Sequence, residues 1–157
     1  MAVLPSGELL AAAFRGDVIH RFLPGAASEH GRWETCEMPR HIVLSPDGAT
    51  AYLTCSMGSI HFVDVASGRR FGIAPTGRNP RSTDITADGR WLGVANFTSN
   101  DVTLINTVRR EQRRAEIERA SGVVGLAMHP GPGIRMYATS WDTGEVIMLE
   151  PRTPLAE

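Results

Sequence analysis

A glycine-centred turn recurs four times along the chain at nearly constant spacing. Its glycines are Gly7, Gly48, Gly89 and Gly133, which lie 41, 41 and 44 residues apart. In the second and third copies the glycine follows an aspartate, and Asp-Gly is the pair that readily adopts the positive φ angles of a tight hairpin turn. A period of about 40 residues is typical of proteins built from repeated supersecondary units. The chain is therefore predicted to be an array of similar units.

Each unit repeats the same order of β-strand signals. Directly after the turn comes a small or apolar run, at residues 8–13, 49–55, 90–96 and 134–140. A short turn with glycine or asparagine leads to a third run, which begins at Val18, Ile60, Val102 and Val146. A fourth, more polar stretch (32–37, 69–74 and 115–118) precedes the apolar run that opens the next unit, at His41, Thr83 and Val123. Four antiparallel strands in each period are typical of one blade of a β-propeller.

The predicted fold class is all-β: a β-propeller with about three complete four-stranded blades plus a partial fourth. The units lie near residues 4–44, 45–85, 86–128 and 129–150, and residues 151–157 form a tail. A leucine-rich or helical repeat fits poorly, because the runs alternate with period two and no window sustains a helical period.

The most highly charged segment spans residues 108–119, where arginines alternate with glutamates. We interpret it as a solvated turn followed by an outermost strand, since charge commonly protects the edge of a sheet. A short helix or an anion-binding arginine patch is the alternative.

Composition excludes several function classes. The formal net charge is −1, so no global field draws the chain to nucleic acid or to an anionic membrane. All 16 basic residues are arginine, which excludes Schiff-base chemistry on a lysine and a phosphate-binding P-loop lysine. The N-terminal stretch has no basic region and its apolar part is broken, so neither a signal peptide nor a membrane span is expected, and the compartment stays open.

Two cysteines, Cys36 and Cys55, both fall inside predicted strands. Buried free thiols are common at such positions, and free thiols are the expectation here. A single disulfide between the two is the alternative.

The most regular stretches are PRHIVLSPDGATAYLTC from Pro39 and NPRSTDITADGRWLGVANFTSNDVTLIN from Asn79. They resemble the YVTN-type propeller repeat, and the group is also similar to the propeller domains of cytochrome-d1-type proteins and to lactonase-like propellers. The resemblance covers Leu4 to Glu150. Such families usually close a ring of more blades than this chain has. The resemblance therefore implies a fragment of a larger propeller, a partner chain that completes the ring, or a compact four-bladed closure, in that order.

The resemblance also places candidate ligand-binding residues on one face, around a central channel. Arg40 and Arg81 fall at equivalent positions of neighbouring units, and two guanidiniums there would suit a carboxylate or a phosphate. Asn96 and Trp141, in turns between the second and third strands, complete the predicted set. Alternatively each arginine ties its blade to the next through backbone carbonyls or Asp84.

His41 is the candidate general base if the chain is a hydrolase. Pro39-Arg40-His41 resembles a Gly-Pro-Arg-His stretch in which arginine and histidine line the proposed site of lactonase-like propellers. Here Met38 replaces the glycine, and the next unit has Ser82 in place of His41. The alternative is a polar residue that simply begins an inner strand.

No metal site and no cofactor are expected. His20 and His61 occupy the same place in adjacent units, but the later equivalents, Thr103 and Ile147, supply no imidazole. A haem-attachment Cys-x-x-Cys-His motif is also missing, which argues against a redox cofactor of the cytochrome-d1-type group.

The sequence thus favours a non-catalytic β-propeller scaffold whose channel face binds a partner protein or a small anionic ligand. A lactonase-like hydrolase acting on a sugar lactone is the alternative. Another chain that completes the propeller ring is a further expected partner. Basic residues interleaved with aromatic residues are missing, so single-stranded nucleic acid is not expected to bind.

Overall fold

A computed structural model describes residues 1–117 and 120–151. Regular structure within these ranges is entirely β-strand. The strands are β1 (Ala2–Val3), β2 (Leu9–Ala13), β3 (Val18–Phe22), β4 (Gly31–Glu34), β5 (Pro39–Leu44), β6 (Thr50–Cys55), β7 (Ser59–Asp64), β8 (Arg70–Pro75), β9 (Pro80–Ile85), β10 (Trp91–Asn96), β11 (Asp101–Asn106), β12 (Gln112–Glu116), β13 (Val123–Met128), β14 (Met136–Ser140) and β15 (Val146–Leu149). In this part of the chain no helix is long and apolar enough to span a membrane.

The strands form four separate antiparallel meanders. Blade 1 is β1–β4, blade 2 is β5–β8, blade 3 is β9–β12 and blade 4 is β13–β15, with each strand hydrogen-bonded to the next in sequence. Three four-stranded sheets and a three-stranded fourth confirm the predicted fold class. The predicted units begin near the turn glycines, whereas each sheet begins one strand earlier. The reason is that the first strand of each sheet precedes its glycine-centred turn.

The turn between the first two strands of blades 2 and 3 is held by its own side chains. In blade 3, the Asp88 carboxylate accepts from the Thr86 hydroxyl at 2.5 Å and from the Arg90 backbone N–H at 3.0 Å. Asp47 and Ser45 repeat this arrangement in blade 2. The following glycine has a φ of 72° in both copies, a left-handed conformation that costs glycine little.

Adjacent blades pack face to face through apolar side chains. One buried cluster joins blades 1 and 2, a second joins blades 2 and 3, and a third joins blades 3 and 4. Among the residues that the structure describes, no such cluster joins blade 4 back to blade 1. The four blades therefore form an arc, with exposed apolar side chains on both flanks: Met1, Val3 and Leu23 on blade 1, and Trp141, Val146 and Met148 on blade 4.

Cys36 and Cys55 are joined by a disulfide, with their Cα atoms 5.8 Å apart. The prediction of free thiols is wrong. Cys36 follows β4 in blade 1 and Cys55 ends β6 in blade 2, so the two thiols meet only because the two blades pack together. The prediction considered only whether each cysteine is buried in its own strand, and that gives no information about contacts between blades.

The charged segment at 108–119 contains the outermost strand of blade 3, and all five residues of β12 are exposed. The interpretation as a charged edge strand is confirmed over 112–116. Residues 118–119, and residues 152–157 of the predicted tail, lie outside the described ranges.

Candidate functional site

The first strand of blades 2, 3 and 4 carries an irregularity near its beginning. In blade 3, Asn96 is opposite Pro80 and Ala95 is opposite Ser82, so Arg81 is the extra residue. The register shifts at the matching place in blade 2, between Pro39 and Ile42, and in blade 4, between Val123 and Gly125. A β-bulge redirects side chains and is frequent beside binding sites. Arg81 is thus the bulge residue of blade 3, and Arg40 lies in the matching bulge of blade 2, where Arg40 and His41 together face Thr54. Val124 takes this place in blade 4.

Arg40 is held by one hydrogen bond and one aromatic ring. Its Nε donates to the Ser56 hydroxyl at 2.9 Å, and that hydroxyl donates to the Met38 carbonyl at 2.9 Å. Its guanidinium lies 4.0 Å from the centre of the Phe14 ring, a residue of blade 1. The guanidinium thus packs on the ring, and among the described residues it has no carboxylate partner.

Arg81 has a similar aromatic support but an unpartnered donor. Its guanidinium lies 4.6 Å from the centre of the Phe97 ring. Its Nε is buried and has no hydrogen-bond partner. Within residues 1–117 and 120–151 no ion pair involves Arg81 or Arg40. A buried N–H donor without an acceptor is unfavourable, and such groups commonly mark the place of a ligand or an ordered water.

The two arginines lie close enough to affect each other electrostatically. Burial lowers the pKa of Arg40, and the positive charge of Arg81 lowers it further. Asp84, the carboxylate that could have tied Arg81 to its surroundings, is used elsewhere. It accepts backbone N–H bonds from Ile85 at 2.9 Å and from Met128 at 2.8 Å, and so links blades 3 and 4. Among the described residues, two arginines thus affect each other electrostatically while neither forms an ion pair.

An exposed tryptophan extends this row of side chains into blade 4. The Trp141 backbone N–H donates to the Gly122 carbonyl at 2.9 Å, and Trp141 is 70% exposed. Gly122 lies between the two aromatic residues: a Cβ built there would be 2.9 Å from the Phe97 ring and 3.2 Å from the Trp141 Cβ. We call Phe14, Arg40, Arg81, Phe97 and Trp141 the arginine–aromatic row.

Asn96 does not belong to the exposed part of this row. It is completely buried in blade 3, where its Nδ2 donates to Asp101 at 2.6 Å and to Thr103 Oγ1 at 2.9 Å. Asp101 also pairs with Arg114 of β12. The amide thus holds together the interior of the blade, and its buried Oδ1 has no hydrogen-bond partner. Asn96 belongs to the predicted ligand-binding set, but it lies inside blade 3 and not on the exposed row.

His41 links the first strands of blades 2 and 3. Its Nδ1 accepts the Thr83 backbone N–H at 3.4 Å, and its own backbone N–H donates to Thr54 Oγ1 at 2.8 Å. Burial lowers the pKa of His41, and the N-terminal ammonium lowers it further, against an opposing effect of Asp84. The half-buried imidazole is therefore neutral near neutral pH and uses one nitrogen to join the blades.

Sequence analysis missed Phe14 and Phe97, although a signal for Phe97 was present. Phe97 and Trp141 both lie eight residues after their turn glycines, Gly89 and Gly133. Comparing these positions would have placed the two aromatic residues at one end of neighbouring blades. Phe14 lies one residue earlier in its unit and breaks that pattern.

An open groove of about 790 Å³ lies elsewhere, between the turns of blades 3 and 4. Its walls include Asp88, Arg90, Trp91 and the Pro130–Ile134 segment. This is the Asp-Gly-turn end of the sheets, opposite the arginine–aromatic row. Its Asp88 carboxylate is already bonded within its own turn, so we place the candidate site at the arginines.

The fold can be compared with solved structures, since no protein-family model and no curated protein matches the sequence. Hydrazine synthase of Kuenenia stuttgartiensis has a TM-score of 0.76 at 18% identity, over 94% of this chain and 48% of that one. Dihydro-haem d1 dehydrogenase NirN, in complex with DHE, has a TM-score of 0.65 at 14% identity, over 97% and 37% of the two chains. A functionally unknown protein from Desulfotomaculum acetoxidans DSM 771 has a TM-score of 0.77 at 9% identity, over 92% and 50%.

The fold is a β-propeller. At these identities the likeness concerns the fold alone, and the chain spans half or less of the length of each of these proteins. In a β-propeller the first strand of each blade lies next to the axis, and β1, β5, β9 and β13 are the first strands of the four blades.

Proposed function

We propose that the chain is a binding module of a β-propeller in which Arg40 and Arg81 hold a small carboxylate or phosphate ligand at the channel mouth. The observation that carries the proposal is the buried, unpartnered Nε of Arg81 beside a second arginine that also lacks a carboxylate. A protein does not gain stability from this arrangement alone, since both the unpaired donor and the like charges are unfavourable.

An anion offsets both costs at once. A guanidinium presents parallel N–H donors in one plane, which matches two oxygens of a carboxylate or a phosphate. The two guanidiniums already pack on the Phe14 and Phe97 rings, so less side-chain freedom is lost when the ligand binds. The exposed Trp141 ring supplies an apolar wall on the blade 4 side.

Titration with inorganic phosphate and with succinate, each at constant ionic strength, tests the proposal. Binding is followed through the arginine Nε–H resonances in ¹⁵N-labelled protein and through calorimetry. We expect saturable shifts of the Arg40 and Arg81 signals with at least one of the two anions. The Arg81→Gln variant should bind at least about tenfold more weakly, a loss of about 1.4 kcal/mol.

Arg90→Gln is the matched control, because Arg90 is exposed and lies at the opposite end of blade 3. Its affinity should stay within about twofold of the wild type, since this end of the blade lies outside the proposed site. Equal binding by the Arg81→Gln variant, or no saturable shift with either anion, contradicts the proposal. If an acidic peptide binds through the same residues and the free anions do not, the ligand is a partner protein rather than a small molecule.

The lactonase-like alternative stays a prediction, and it depends on His41 as a base. The lowered pKa of His41 and the bond from Thr83 to its Nδ1 both weaken that role. Turnover of a sugar-lactone panel that disappears in the Arg40→Ala, His41→Ala double variant would establish the hydrolase reading and overturn the non-catalytic one.

A further inference from the structure

We propose that Cys36, Cys55 and His61 form a redox-gated site for a soft, closed-shell cation such as Zn²⁺ or Cu⁺, located between blades 1 and 2. One ligand atom from each residue lies within 4.8 Å of the other two, and all three residues are buried. In the oxidised chain the two sulfurs are bonded to each other. In the reduced chain they are free to bind the cation together with the imidazole.

The fold brings these residues together from two strands of blade 2 and from the segment that follows β4 in blade 1. Cys55 ends β6, and His61 lies on β7 opposite Leu53. Side chains alternate along a strand, so Cys55 and His61 point to the same face of blade 2, the face that packs on blade 1. Cys36 approaches this face from the segment after β4.

His61 supplies an independent observation that points to a ligand. It is only 6% exposed, and its Nδ1 is buried without a hydrogen-bond partner. Burial, followed by the positive charge of Arg70, lowers the pKa of His61 to about 4. The imidazole is therefore neutral at physiological pH, the form that binds metals.

His20 shows how an equivalent histidine behaves without the two sulfurs. It occupies the same place in blade 1, on β3, and its Nδ1 contacts the Glu29 carboxylate. Its side chain is 31% exposed. His20 thus has the carboxylate partner that His61 lacks, which makes it a suitable control.

The local distances and charges suit a cation with two thiolates and one imidazole. Bonds of about 2.3 Å to each sulfur in a tetrahedral site place the sulfurs roughly 3.8 Å apart. The 5.8 Å between the cysteine Cα atoms allows that separation. Two thiolates together neutralise the charge of a divalent ion. Three protein ligands leave a fourth position for water.

The redox step requires a reductant, which we take to be a dithiol. Two electrons and two protons from the dithiol convert the Cys36–Cys55 disulfide into two thiols, and the dithiol becomes a disulfide. Cation binding then displaces the two thiol protons to solvent. Re-oxidation expels the cation, because neither sulfur of a disulfide is a thiolate.

Co²⁺ is the probe for the first experiment, because tetrahedral thiolate-bound Co²⁺ absorbs strongly in the visible and near ultraviolet. The full chain is reduced with a phosphine, which becomes the phosphine oxide and leaves no competing thiol, and is then titrated with Co²⁺. We expect one Co²⁺ for each reduced chain and none for the oxidised chain. His61→Gln should weaken binding about tenfold or more, because one of three protein ligands is lost, whereas His20→Gln should change it less than about twofold.

A second measurement needs no variant and so does not depend on the variants folding. Zn²⁺ should protect both cysteines of the native, reduced chain from alkylation by iodoacetamide, and a chelator should remove that protection, as read by mass spectrometry. Equal alkylation with and without Zn²⁺ overturns the proposal. So does Co²⁺ binding that is unchanged by oxidation, or unchanged in a folded His61→Gln variant.

Discussion

Glu8 is a buried carboxylate with three charged or polar contacts, all within blade 1. Its oxygens accept from Arg21 Nε at 2.5 Å and from the Arg21 terminal nitrogen at 3.0 Å, and His30 Nε2 lies 2.9 Å away. Arg21 in turn lies over the Trp33 ring. The Glu8 carboxylate thus neutralises Arg21, which is packed against Trp33. Removing the charge of Glu8 would therefore leave Arg21 without its ion-pair partner and His30 without its hydrogen bond.

The Glu8 cluster predicts acid sensitivity. The hydrogen bond from Arg21 holds the pKa of Glu8 below its usual range, against an opposing effect of burial. A carboxylate whose pKa is lower in the native state than in the unfolded state stabilises the native state. This stabilisation is fully present above the unfolded-state pKa, about 4.3, and is lost as the pH falls through the native pKa. Urea unfolding of Glu8→Gln should show roughly 1–3 kcal/mol less stability at pH 7 and a flatter decline toward acid.

The exposed Glu37→Gln variant is the control for the charge change and should stay within about 0.5 kcal/mol of the wild type. If the stability of Glu8→Gln declines with pH in parallel with the wild type, Glu8 does not carry this acid sensitivity.

At the scale of the element, the turn between the first two strands also joins neighbouring blades. A Cβ built on Gly48 would lie 2.8 Å from the Pro5 ring of the preceding blade. A Cβ on Gly89 would lie 2.9 Å from the Pro46 ring. Gly48 and Gly89 therefore each receive the proline of the turn before them. These two turn glycines make a contact between blades as well as a hairpin turn.

Replacing Gly89 by alanine should cost more stability than the same change at Gly133. Both glycines have positive φ angles, 72° and 83°, so both substitutions incur a backbone cost of about 1–2 kcal/mol. Only Gly89 meets a proline ring, since nothing lies within 4 Å of a Cβ at Gly133, and that overlap adds about 1–3 kcal/mol. Urea unfolding of the two variants measures the difference. Equal losses would contradict a docking role for the glycine.

The disulfide between Cys36, which follows β4, and Cys55, which ends β6, is predicted to stabilise the pair of blades without being required for folding. It closes a loop with a sequence separation of 19 residues, for which loop-closure entropy predicts about 3 kcal/mol. The Cys36→Ser, Cys55→Ser variant should keep the wild-type far-ultraviolet circular dichroism and lose about 2–4 kcal/mol on urea unfolding. Loss of the β spectrum in this variant, or unchanged stability, would contradict the prediction.

At the scale of the whole molecule, the arc leaves two flanks without a neighbouring blade. Val146 and Met148 of β15 are 70% and 57% exposed, and Val3 on β1 is 63% exposed. A propeller ordinarily covers such surfaces by closing its ring.

We accordingly expect the purified chain to form a dimer of twice its 17.0 kDa mass, in which each flank of one copy packs on a flank of the other. Light scattering coupled to size-exclusion chromatography measures the mass. The Val146→Glu, Met148→Glu variant should be monomeric, because it places two charges in the interface, whereas the exposed Arg90→Gln change should leave the dimer intact. A wild-type monomer over a wide concentration range, or polydisperse aggregates, would contradict ring sharing.

The sequence alone determined the strand order, the blade period and the equivalence of Arg40 with Arg81. Hairpins are local: the strands that pair are consecutive, and an Asp-Gly turn specifies its own geometry through side chains one or two residues away. Because the units repeat, the strand order of one unit predicts that of the next, and residues at the same position in two units can be paired. For the same reason the charged edge strand at 112–116 could be recognised from its residues.

Only the tertiary structure decided which side chains meet between blades. The Cys36–Cys55 disulfide, the place of His61 beside it, the Phe14 ring under Arg40 and the burial of Asn96 all depend on how one sheet packs on another. Period and turn chemistry did not reveal these contacts, because each depends on which side chains of two facing sheets lie opposite one another when the sheets pack. The bulge that directs the two arginines is likewise a feature of pairing between strands, which residue identities alone did not reveal.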